Sequence, residues 1–143
     1  MKYSTKLSDA IHVLTFIALG GNGNHDLSST AIAHSLNKNA SQVRQLMSQL
    51  KRADLLSSTT GHPQPQLTRP TTDISLCNIY EAVDARPLLH LNMDTASDCQ
   101  VGQAMPIVLD AYYQQVQQAA QQTLKAITLA DVMAQVQKVE AQS

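Results

Sequence analysis

Asn39-Ala-Ser-Gln-Val-Arg-Gln-Leu-Met-Ser-Gln-Leu-Lys-Arg-Ala53 decides how this chain is read. Val43, Leu46, Met47 and Leu50 recur at the spacing of one helical face and are expected to meet a core. Ser41, Gln42, Arg44, Gln45, Ser48, Lys51 and Arg52 fall on the other side, with no acid before Asp54. A front of amides, hydroxyls and cations suits a helix that enters a DNA major groove. It suits a solvated surface helix equally well, so the flanking elements have to decide.

Upstream, Asn39 and Gln42 have the spacing of a capping box, which starts the helix. Asn37-Lys38-Asn39 reads as a tight turn, and Ser28 as the cap of a short preceding helix with Ala31, Ile32 and Leu36 inward. Two short helices across such a turn form the helix-turn-helix pattern. Before them, Ser4 caps a first helix whose stripe is Leu7, Ile11, Leu14, Ile17 and Ala18, widened by Val13 and Phe16; Gly20-Gly21-Asn22-Gly23 ends it in a loop. Downstream, Leu55 to Thr59 reads as a strand, Thr60 to Pro65 as a turn and Gln66 to Arg69 as a short returning strand. A helix-turn-helix followed at once by a hairpin predicts a winged helix, its turn reaching the DNA backbone or minor groove.

Ser75 caps a fourth helix running to about Asp84, with Leu76, Ile79, Tyr80 and Val83 inward; Ala85 to Cys99 lacks periodicity and reads as a loop. From Gln100 the chain turns helical again. Val101, Met105, Val108, Tyr112, Val116, Ala119, Thr123 and Ile127 form a heptad-like stripe, with Pro106 in its early turns and Gln-rich 114–122 as its wet face. Thr128 caps a last helix with Leu129, Val132, Met133 and Val136. The expected fold class is mostly α with a small β-hairpin wing: a winged helix-turn-helix domain over 1–84, a loop over 85–99, and a long dimerisation helix with a C-terminal helix over 100–143. So long an apolar stripe has little to pack on in a small domain, so a second copy is its expected partner, through Met105, Val108, Tyr112, Val116 and Ala119. A homodimer would place two recognition helices on half-sites about 34 Å apart, or a multiple of that.

The totals agree with this reading. The 143 residues fit one domain with an extension, and a core without Trp and with one Phe must rest on aliphatic residues. No apolar run reaches the roughly 20 residues of a membrane span, and no leader is evident, so the expected location is the cytoplasm. Cys77 and Cys99 are too few for a disulfide framework and are not spaced as a zinc pair; the five histidines show no ligand spacing, so no metal is expected. Nucleophile elbows, phosphate loops and metalloprotease motifs are absent, which argues against an enzyme. The net charge of −1 divides unevenly: residues 1–70 hold seven cations and three acids, residues 71–143 three cations and eight acids. A basic front suits double-stranded DNA as partner.

The chain also resembles the Rrf-two family of bacterial winged-helix transcription regulators. The resemblance rests on Lys6-Leu-Ser-Asp-Ala-Ile-His-Val-Leu, Ser28-Ser-Thr-Ala-Ile-Ala-His-Ser-Leu, Val43-Arg-Gln-Leu-Met-Ser-Gln-Leu-Lys-Arg-Ala-Asp-Leu-Leu, Asp73-Ile-Ser-Leu-Cys-Asn-Ile-Tyr-Glu-Ala-Val, Cys99-Gln-Val-Gly and Thr128-Leu-Ala-Asp-Val-Met, in that order. It implies a dimer in which each long helix crosses over the partner's N-terminal domain, and DNA binding by the third helix and the wing. The nearest similarity is to the clusterless branch. Many members carry Arg-Gly and then Gly-Gly-Tyr in the wing, where this chain has Thr60-Gly61 and Gln64-Pro65-Gln66. Cluster-binding members carry three cysteines before the long helix; Cys99 resembles the middle one, with Met93 and Met105 six residues to either side. A cluster held by thiolates needs more than one, so no iron–sulfur cofactor is expected.

The DNA-contact set expected from both readings is Ser28, Ser29, Asn39, Ser41, Gln42, Arg44, Gln45, Ser48, Lys51, Thr60, Gly61 and His62. Gln suits adenine and Arg guanine; Lys51 and Ser29 suit phosphates, and Ser28 with Ser29 could hold one through helix N-terminal N–H groups. The expected role is a repressor, with a small-molecule or protein effector left open. Two alternatives stay open beside it. One is a protein-interaction regulator with weak or lost DNA binding, motivated by the altered wing and acidic rear. The other is a thiol sensor at Cys99, which a helix N-terminus favours and Asp94 and Asp98 oppose.

Overall fold

The computed structural model describes residues 4–20, 26–59 and 62–143. Among the described residues, six helices and one hairpin follow in the order α1 (Lys6–Gly20), α2 (Ser29–Leu36), α3 (Ala40–Arg52), β1 (Leu56–Thr59), β2 (His62–Leu67), α4 (Leu76–Val83), α5 (Gln100–Ala126) and α6 (Leu129–Ala141), with a single 3₁₀ turn at Thr71–Asp73. Four of the helix starts expected from sequence carry the expected side-chain caps, at Ser28, Asn39, Ser75 and Thr128. Each satisfies an N–H that the helix itself leaves unpaired. The expected loop residues Gly21, Asn22 and Gly23 lie outside the described residues.

The chain divides into two compact units, 1–85 with 125–143, and 86–124. In the first, α1 is the central post: Ala10, Val13, Leu14 and Ile17 are buried against a core that also takes Ile32 of α2, Val43 and Leu50 of α3, Ile79 of α4 and Leu129 of α6. Full burial of each valine, leucine or isoleucine among them contributes about 1.5–3 kcal/mol before entropy is counted. The last helix, grouped with the long helix on sequence, thus belongs to this first unit. Its start is tied to the start of α4 by Leu76 N–H to Ile127 O (2.9 Å) and Leu129 N–H to Ile74 O (2.8 Å), around a bridge between Ser75 and Thr128. Periodicity reports that a helix has an apolar face, not which neighbour covers it.

The hairpin departs from expectation in the extent of its second strand. The returning strand begins at His62 rather than Gln66 and ends at Leu67 rather than Arg69. Leu56 pairs with Leu67, Ser57 with Gln66 and Thr59 with His62, leaving Pro63-Gln64-Pro65 opposite Ser58 alone. Prolines cannot donate to the ladder, and the irregularity absorbs them without ending the strand. The second unit holds the loop 86–99 and most of α5, with Pro106 at the seventh position of the helix.

Candidate nucleic-acid interface

The first helix fixes the turn before α3. Asn37 closes α2 in the left-handed region (φ 53°), which asparagine tolerates. Lys38 then reaches α1: its Nζ lies 2.7 Å from Asp9 Oδ2 and donates to Thr5 Oγ1 at 2.9 Å, while Thr5 Oγ1 donates to the same Asp9 oxygen. A second link joins His12 Nε2 and Ser35 Oγ at 2.8 Å. At Asn39 the capping box is complete. Its Oδ1 accepts Gln42 N–H at 2.8 Å, and Gln42 Oε1 accepts Asn39 N–H at 3.4 Å.

Val43, Leu46, Met47 and Leu50 bury one side of α3, and Ser41, Gln42, Arg44, Gln45, Ser48, Lys51 and Arg52 are exposed. At about 100° per residue, Ser41, Gln45, Ser48 and Arg52 form the middle of the outer face, with Arg44 and Lys51 along one edge. Arg52, absent from the contact set expected on sequence, is central; its distance from Ser41, three turns away, obscured this. Gln42 lies instead beside the buried side and lines a groove of about 440 Å³ with Thr5, Lys6 and Arg52. Among the described residues Arg44, Lys51 and Arg52 have no acidic partner, so their charge faces outward.

The start of α2 is capped at both sides of Ser28. Ser28 Oγ accepts Ala31 N–H at 3.2 Å, and Ser28 N–H donates to Asp26 Oδ1 at 2.9 Å. The hydrogen bonds from Ser28 hold the exposed Asp26 carboxyl below its ordinary range. The Asp26 carboxylate therefore holds the N–H of the cap residue just ahead of α2, and Ser29 is half-buried. Asp26 precedes the cap by two residues, a signal that could have been read from the sequence.

The wing stands at the far end of α3. Asp54 takes a positive φ of 59°, and its carbonyl accepts Arg69 Nη2 at 3.4 Å and Thr68 Oγ1, which ties the end of the hairpin to the end of α3. Thr60, Gly61 and the side chain of His62, expected at the wing tip, lie outside the described residues.

In the long helix no residue is buried, and Val101, Met105, Val108, Tyr112 and Val116 are 40–64% exposed. Ala119 is exposed in the same row. Cys99 is exposed just ahead of α5, its carbonyl accepting Gln103 N–H at 2.9 Å. Cys77 is buried on α4, 3.5 Å from Glu81 Oε1; burial first, then Glu81, pushes its thiol up from the ordinary value. Among the described residues no group of three His, Cys, Asp or Glu side chains converges as metal ligands, and no helix is long and apolar enough to cross a membrane.

Two helices across a pinned turn, the second with a bare polar and cationic face, and a hairpin at its end define a winged helix-turn-helix DNA-binding protein. The chain belongs to the Rrf2 family, described as an iron-dependent transcriptional regulator, whose profile matches residues 3–135. It is 35% identical over 131 residues to YwnA of Bacillus subtilis (strain 168), named as an HTH-type transcriptional regulator, across 91% of this chain and 96% of that one. A crystal structure described as that of a DNA-binding protein is 34% identical and superposes with a TM-score of 0.72, covering 90% of this chain and 98% of the other. CymR, the global cysteine regulator of B. subtilis, shares the fold at 20% identity and a TM-score of 0.66, over 94% and 97% of the two chains. The protein is a DNA-binding transcriptional regulator and not an enzyme.

Proposed function

We propose that the protein is a sequence-specific repressor that binds operator DNA as a homodimer, acts in the cytoplasm and carries no iron–sulfur cluster. The observation that carries the reading is the outer face of α3. Six side chains able to meet bases or phosphates stand there together, three of them cations without an acidic partner among the described residues. Arg44 and Gln45 suit base edges, Lys51 and Arg52 phosphates, and the hairpin flanks them. Repression needs only occupancy of a promoter.

The exposed row from Met105 to Val116 supports the dimer, since apolar side chains at heptad spacing gain stability when a second helix covers them. The donor set does not fit a cluster. Segment 86–124 offers one thiol, Cys99, and the other thiol, Cys77, is packed into the core of the first unit. Met93 and Met105 are thioethers and cannot replace the thiolates that hold such clusters.

A salt titration of binding to duplex DNA tests the reading. Affinity should fall steeply and log-linearly with salt, by about 0.9 per phosphate contacted. Absence of binding at low salt would instead favour a regulator that works through protein contacts alone.

A further inference from the structure

The loop before the long helix folds back over α5 and is held there by side-chain hydrogen bonds, one of them from Gln103 Nε2 to Ser97 O. Leu88 N–H donates to Gln117 Oε1 at 2.9 Å, and Thr95 Oγ1 donates to Gly102 O. Between these anchors the loop and the helix line a half-open cavity of about 380 Å³. That volume lies in the range of small-molecule sites, about 300–1,000 Å³. Leu89, Leu91 and Met93 supply an apolar wall from the loop; Asp110, Tyr113 and Gln114 supply a polar wall from α5.

Asp110 is the one acidic or basic side chain in that lining other than His90. Gln114 Nε2 donates to its Oδ2 at 2.9 Å, which orients the carboxylate and leaves the second oxygen without a hydrogen bond among the described residues. Segment 86–124 sets Arg86 against Asp94, Asp98 and Asp110, so its net charge is −2 and an anion would meet no compensating field there. At about 100° per residue, Asp110, Tyr113, Gln114 and Gln117 lie some 140° around α5 from the row Met105, Val108, Tyr112 and Val116. Covering that row with a second copy would leave the cavity open.

We propose that this cavity is an effector site for a small organic cation: an ammonium or amidinium group on an apolar body. The cationic group pairs with the open Asp110 oxygen and lies near the ring of Tyr113; the body displaces water from Leu89, Leu91 and Met93. The word effector rests on the regulator reading above, whereas the binding is independent of it.

Calorimetric titration of the full chain with phenethylammonium and with benzamidinium, each against its carboxylate counterpart phenylacetate or benzoate, tests the proposal. At least one cation should bind saturably and neither anion should. Asp110→Asn should weaken the cation about tenfold or more, the loss expected for a hydrogen bond to a charged group. Backbone amide shifts should concentrate in residues 87–93 and 110–117. No saturable binding by either cation, equal binding of the anions, or an undiminished affinity in Asp110→Asn would overturn it. DNA binding measured on the same preparation separates the two readings: its absence removes the regulator role and leaves cation binding intact.

Discussion

Lys38 Nζ and Asp9 Oδ2 stand 2.7 Å apart, joining the turn of the helix-turn-helix to the first turns of α1. Their side chains are 31% and 14% exposed, so the pair is only partly sheltered from water. Without Asp9, Lys38 can still turn into solvent. Asp9→Asn should therefore cost only about 1 kcal/mol in urea unfolding. DNA affinity should fall by more than that, because the turn that sets the direction of α3 loses its tie. A stability loss above about 3 kcal/mol would mean that the lysine cannot rehydrate and that the pair belongs to the core.

The division of labour on α3 follows from its cap. Reading adenine with two hydrogen bonds takes both the oxygen and the nitrogen of a glutamine amide. Gln42 has given its oxygen to Asn39 N–H, whereas Gln45, exposed near the centre of the outer face, makes no side-chain hydrogen bond among the described residues. Gln42→Ala should lower stability by about 0.5–1 kcal/mol through the lost cap and leave the preferred operator unchanged. Arg44→Ala should cost about 1–3 kcal/mol of binding and relax one operator position, and Lys51→Ala should weaken all sequences alike and reduce the salt slope by about one. Selection from random DNA separates these outcomes; a changed base preference in Gln42→Ala would show that the cap opens on DNA.

The exposed row on α5 gives a prediction about assembly. Tyr112→Asp with Val116→Asp places two charges on the apolar row without touching the first unit's core. Sedimentation should then report monomers at concentrations where the parent chain is a dimer, with helicity retained by circular dichroism. Operator affinity should drop at least tenfold as the second half-site contact is lost. A parent chain that sediments as a monomer would remove the dimer from the proposal.

The two thiols should differ in reach and in pH response. A water-soluble disulfide reagent should modify Cys99 rapidly and Cys77 only after unfolding, since the first is exposed and the second 1% exposed. Burial raises the Cys77 thiol in the folded chain, so the folded state favours the neutral form. Its contribution to stability is complete below the ordinary thiol range and is lost as pH rises through the raised value. In a Cys99→Ser background, stability should fall on the alkaline side, and Cys77→Ala should remove that part of the fall. An unchanged alkaline limb would assign it to other groups.

The sequence made some features legible and hid others for identifiable reasons. Caps are local, so Asn39–Gln42, Ser75 and Thr128 could be read from spacing alone. The α3 core row was legible because four apolar residues recur with helical period. The partner of α6 was not, because α1 supplies it from more than a hundred residues away. The start of β2 was hidden by Pro63 and Pro65, which ordinarily argue against a strand and here fall at the register irregularity. The engagement of Ser28 N–H by Asp26, and that of Gln42 by Asn39, depend on which side-chain atoms are already used. Periodicity carries no record of that.

Gly102 offers the sharpest test of the loop over α5. A Cβ there would stand 2.5 Å from the carbonyl oxygen of Ala96 and 3.2 Å from its nitrogen. Both are backbone atoms, so no side chain can rotate to make room. Alanine would favour the helix by about 0.5–1 kcal/mol, but the crowding should cost about 1–3 kcal/mol unless the loop moves away. The expected result for Gly102→Ala is a displaced loop: faster amide exchange over residues 93–99, loss of the Thr95–Gly102 link, and unchanged protection in α1 and α3 of the other unit. Binding of phenethylammonium or benzamidinium should weaken with it, because an anchor of the cavity wall is gone. Raised stability with unchanged loop exchange would show that the helix gain dominates and that the loop does not depend on the glycine.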